Sequence, residues 1–137
     1  MIDSFKSPLV VLARVLLALM FVLSGFGKLA DLSGTAGYIA SGGLPAAPVL
    51  AVIVALLEVV GGLALVVGFH ARWAALALAL FTVAATVLFH NYWSMPVEQQ
   101  FVQKLMFMKN LAIAGGLFFV AAMGAGPASI DARRVAA

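Results

Sequence analysis

The sequence predicts an all-α fold: an integral membrane four-helix bundle, up-and-down, with both termini cytoplasmic. Three observations lead there. Of 137 residues, 65% are hydrophobic and 9% charged, whereas a soluble domain carries about 25% charged residues. Mean hydropathy is +1.16. Four apolar runs, at about 8–29, 48–69, 73–93 and 101–123, each match the roughly 20 residues a helix needs to cross hydrocarbon. The last two connections are short, which makes neighbouring helices antiparallel. The length suits one small membrane domain, 1–137.

The first run, PLVVLARVLLALMFVLSGFGKL, competes with a signal peptide, because Lys6 precedes it. It is too long for a typical signal core and lacks a small-x-small cleavage site before Lys28, so a retained helix is expected. Arg14, Ala18, Phe21, Gly25 and Lys28 recur at four-three-four-three spacing and share a face. SGFGK lacks phosphate-loop spacing, and its glycines suit close helix packing instead. Residues 30–47 hold four glycines, a proline and scattered serines, and read as a connection. Within it, Thr35 to Ala40 can form a short interfacial helix with Tyr38 at headgroup level. A connection of this length also fits a lid or binding element.

The second run, PVLAVIVALLEVVGGLALVVGF, carries one charge, Glu58, near its middle. Ala51, Ala55, Glu58 and Gly62 share one helical face, and the small residues admit a neighbouring helix. A tight turn at His70-Ala71-Arg72 leads into the third run, whose stripe is Ala79, Val83, Thr86 and His90. Ser94 to Gln100 is a polar turn. The fourth run contains Lys104, Lys109 and Asn110, with Lys109, Ala112 and Gly116 on one face. Lys6, Arg72, Arg133 and Arg134 fall outside the hydrocarbon on one side. Basic residues favour the cytoplasm, so the residue 30–47 connection is expected outside.

Charges within spans are the candidate functional residues, because an unpaired one costs about 2.5–3.5 kcal/mol at a span centre. At a helical rise of about 1.5 Å per residue, Glu58 lies about 15 Å from the outer end of its span and Lys109 and Asn110 about 12–14 Å. Arg14 is deeper, at about 22 Å, and its long side chain can reach upward. Lys28, His90 and Lys104 lie within about 6 Å of the outer surface. The expectation is a midplane cluster of Arg14, Glu58, Lys109 and Asn110, with Glu58 paired to Arg14, beneath an outer tier of Lys28, His90 and Lys104. One carboxylate cannot neutralise two cations. The surplus favours a pocket for a quinone head group or small anion, against the plainer reading that Lys109 reaches a backbone carbonyl or water.

The same residues exclude other classes. Eight basic and five acidic residues are scattered, so no basic stripe exists for nucleic acid. The absence of cysteine removes disulfide and thiolate chemistry. His90 has no second histidine or carboxylate at ligand spacing, so no metal site is expected.

Taken together, RVLLALMFVLSGFGKL, YIASGGLPAAP, LLEVVGGLALVVGFHAR, LFHNYW and FMKN make the chain resemble the DoxX family from Arg14 to about Asn110. The resemblance implies a four-helix bundle in the bacterial inner membrane and an association with membrane redox chemistry, including a thiosulfate:quinone oxidoreductase subunit and a complex handling oxidative stress. Three functional expectations result: a ligand-binding subunit of an oxidoreductase system, a non-catalytic scaffold recruiting a redox enzyme, or a small-molecule permease working as a homo-oligomer. The residues leave catalysis itself open.

Overall fold

A computed structural model describes the backbone of residues 2–136 and the side chains of residues 6–136. Its helices are α1 (Ile2–Ala30), α2 (Leu32–Ser41), α3 (Ala47–Val67), α4 (Ala71–Phe89), α5 (Val97–Met123) and α6 (Ile130–Ala136), with a 3-10 turn at Tyr92–Ser94 before α5. No strand occurs among the described residues. α1, α3, α4 and α5 are long and apolar enough to cross a membrane. α1 packs on α3 and α4 on α5, and the turn after α3 brings the two pairs together.

Small residues set the α1–α3 contact. A Cβ on Gly25 would stand 2.7 Å from a Val59 methyl and 2.8 Å from the Val59 amide, and one on Gly62 would stand 2.8 Å from Val22. The predicted stripes of these two helices are their inward faces. Arg14, Ala18 and Phe21 are buried, as are Ala51, Ala55 and Glu58. The register is staggered. Gly25 lies opposite Ala55 and Val59, and Gly62 opposite Ala18 and Val22. α1 therefore ends about level with Val52, and the first turn and a half of α3 projects roughly 7 Å beyond it.

The projection is covered by α2. The residue 30–47 connection is thus mostly helix, longer than the short Thr35 to Ala40 helix expected. Its start is written locally: the Asp31 carboxylate accepts a hydrogen bond from Gly34 N at 2.8 Å, a side-chain N-cap. Ile39 packs on Ala47 and Ala51. Tyr38 stacks on Phe89 of α4 with ring centroids 4.9 Å apart.

At the opposite end the tail closes the bundle. Asp131 accepts from the amides of His70 (2.8 Å) and Ala71 (2.9 Å), so α6 caps the first turn of α4 from 60 residues away in sequence. Arg72 donates to the carbonyls of Ala121 and Ala122 at the end of α5, where cations favour the exposed carbonyls. The fourth-span stripe of Lys109, Ala112 and Gly116 is displaced from the one observed. The buried positions of α5 are Ala114 and Leu117, and Lys109 and Ala112 stand to the side of that face, exposed.

Candidate functional site

A cavity of about 450 Å³ opens between the upper halves of α1, α3, α4 and α5, beneath α2. Lys28, Glu58, His90, Lys109 and Asn110 all line it. Most of its wall is apolar, with Phe21, Leu50, Val54, Phe81 and Phe89 among the lining residues.

Glu58 is 4% exposed and pairs with Lys28: Nζ to Oε2 is 2.8 Å. The same ammonium donates to Ser24 Oγ at 2.5 Å, one helical turn back on α1. The expected Arg14–Glu58 pair is not formed. Arg14 is 3% exposed and donates to the carbonyls of Ala125, Val66 (3.3 Å) and Ala128 (2.9 Å). Val66 lies about 12 Å beyond Glu58 along α3, too far for the arginine to bridge. The two helices do not share a common outer starting level, because α3 starts about one and a half turns outside the end of α1. The stagger lowers Glu58 to the level that Lys28 reaches.

The cation surplus persists with different members. Among the described residues Lys28–Glu58 is the one ion pair, and it leaves Lys109 over. Lys109 Nζ has a methionine sulfur, Met106 Sδ at 3.4 Å, as its recorded partner, a weak acceptor. Asn110, half-buried on the next position, also lines the cavity. His90 Nδ1 lies within hydrogen-bond distance of the Gln103 side-chain amide, at 2.7 Å. The cavity therefore combines an ammonium, an amide and an imidazole with an internally neutralised ion pair.

Lys104 does not join them. It is exposed and sits 5.9 Å from the Tyr92 ring centroid, beside the aromatic group of Tyr92, Trp93 and Phe107. Of the seven residues expected, five share the cavity, while Arg14 and Lys104 lie elsewhere. Sequence reasoning missed Ser24, Thr35, Tyr38 and Gln103. The Asp31–Gly34 cap was a readable signal that α2 continues as a helix and brings Thr35 and Tyr38 over the cavity. Gln103 carries no such signal.

The comparisons fit this architecture. The sequence matches DoxX over residues 9–91. The chain belongs to the DoxX family. It is 40% identical to inner membrane protein YqjF of Escherichia coli K12, over 89% of this chain and 88% of that protein. It is 34% identical to inner membrane protein YphA of the same organism, over 93% and 91% of the two. No solved structure gives a significant match. With four candidate spans, this DoxX protein is a multi-pass bacterial inner-membrane protein. The family match ends at Asn91, so it includes Lys28, Glu58 and His90, while Lys109 and Asn110 lie beyond it on α5.

Proposed function

We propose that the protein is a membrane subunit of an oxidoreductase system and that its cavity holds the carbonyl head group of a quinone. The observation that carries this reading is Lys109, an ammonium without an oxygen partner among the described residues, at the edge of a cavity with mainly apolar walls. A small hydrated anion gains little from such walls. A flat, lipophilic carbonyl compound is served by both parts, as in most small-molecule sites, where a few polar groups orient a ligand held by apolar surface. Lys109 and Asn110 would donate to a carbonyl oxygen, and the His90 imidazole would hydrogen-bond the second oxygen of the quinone or of its reduced form. The Lys28–Glu58 pair closes the inner wall. When bound, the quinone would supply two-electron chemistry. The chain has no cysteine and so no thiol couple of its own, and we assign the electron source to a partner protein. Both termini are assigned to the cytoplasm, which places the cavity toward the outer leaflet.

Lys109→Met is the test, because it keeps length and apolarity while deleting the charge. Hydrogen bonds to charged groups contribute about 1.5–3 kcal/mol, so a short-chain quinone should bind at least tenfold more weakly, with melting temperature unchanged or higher. Undiminished quinone binding by a folded variant would overturn the assignment. A destabilised variant would make Lys109 a structural residue. Stable co-purification of an enzyme with no quinone bound would favour the scaffold reading.

A further inference from the structure

A second depression, separate from the cavity, lies on the outer face of α3 and α4 at the end closed by α6. It has a volume of about 310 Å³. Its floor is made of small residues, Gly61, Ala64 and Ala74, and its sides include Leu57, Val60 and Trp73. The α3 residues follow each other at three and four positions, so they form a straight trough along the helix. From Leu57 to the turn after α3 it runs about 16 Å, roughly half the hydrocarbon thickness and so the depth of one leaflet.

The end of the trough is charged. Phe69 and His70 line it there. Arg134 of α6 lies over the Phe69 ring, 4.8 Å from its centroid, and its Nη1 is 3.2 Å from His70 Nε2. Two nearby charged groups are otherwise occupied. Asp131 is bound to the amides of His70 and Ala71, and Arg72 to the carbonyls that end α5. Arg134 has no carboxylate within ion-pair distance among the described residues. It is exposed, with no other recorded partner among the described residues than His70 and the Phe69 ring.

We infer that this trough is a binding site for an anionic glycerophospholipid, with one acyl chain along Leu57, Gly61 and Ala64 and the phosphate against Arg134. An apolar trough of one leaflet's depth fits an acyl chain, and a guanidinium at its headgroup end selects for negative charge. A basic residue at an anionic membrane surface favours such lipids by about fivefold. The inference is independent of the quinone reading.

The two tryptophans make the test direct, since Trp73 lines the trough and Trp93 does not. In a Trp93→Phe background Trp73 is the sole indole. The full chain is reconstituted in phosphatidylcholine vesicles containing a minor fraction of either phosphatidylglycerol or phosphatidylcholine with brominated acyl chains, which quench indole at short range. Brominated phosphatidylglycerol should quench Trp73 about fivefold more effectively at equal fraction. Arg134→Gln should abolish the preference by removing the charge, and Ala64→Leu should abolish it by filling the trough with Arg134 intact. Equal quenching by the two lipids would overturn the site, as would a preference that survives either substitution. Should Arg134→Gln fail to fold, Ala64→Leu decides alone. Reversal by inorganic phosphate, but not by chloride at matched ionic strength, would reduce the site to a phosphate contact and overturn the acyl assignment.

Discussion

Glu58 and Lys28 depend on each other because neither has another charged partner within reach among the described residues. Removing one member of a buried pair strands the other and costs about 3–5 kcal/mol. Lys28 is 27% exposed, which screens part of that loss, so the lower end applies. Glu58→Gln and Lys28→Met should each destabilise the protein by about 3 kcal/mol, and the double variant by much less than the sum. A double-mutant cycle on thermal or denaturant unfolding measures this, and additive losses would show that the two side chains do not interact. Asp131 belongs to the same scale. Replacing a side-chain helix cap by alanine costs about 0.5–2 kcal/mol, and Asp131→Ala should fall in that range by the same measurement, with no change in quinone binding at the distant cavity.

At the scale of helices, approach distance decides. Gly25 and Gly27 sit two positions apart on α1 with opposite surroundings. A Cβ at Gly25 meets the Val59 backbone at 2.8 Å, whereas one at Gly27 meets nothing within 4 Å. Gly25→Ala should force α1 and α3 apart at about 1–3 kcal/mol, while Gly27→Ala should stabilise the helix by about 0.5–1 kcal/mol. Melting both variants checks this, and equal effects would remove the α1–α3 contact from the account. The inward faces of α1 and α3 were legible in the sequence because small and charged residues repeat at helical spacing along an otherwise uniform apolar run. α5 was not legible in the same way. Its apolar residues surround the helix, so Lys109 on a small-residue stripe carried no information about which side met α4. The cavity's membership was readable to the extent that charges within spans are costly and converge. Their pairing was not, because it depends on the axial stagger of α1 against α3, which the lengths of the apolar runs do not encode.

For the whole molecule, sidedness is the first test. The sequence expectation sets Lys6, Arg72, Arg133 and Arg134 on the cytoplasmic side. A reporter fused after Ala137 should be active only in the cytoplasm, and periplasmic activity would invert the assignment of both ends and of the cavity's leaflet. The Arg14 contacts carry a further consequence, for how the protein is made. Two of the three carbonyls that hold this guanidinium, those of Ala125 and Ala128, follow the last span in the chain. A ribosome therefore delivers a charged first span to the membrane long before it makes the groups that satisfy it. Before α5 and the segment after it are made, Val66 is the one of these three carbonyls available to Arg14. The first span to be made thus gains two of its three carbonyl partners only from the segment that follows the last span.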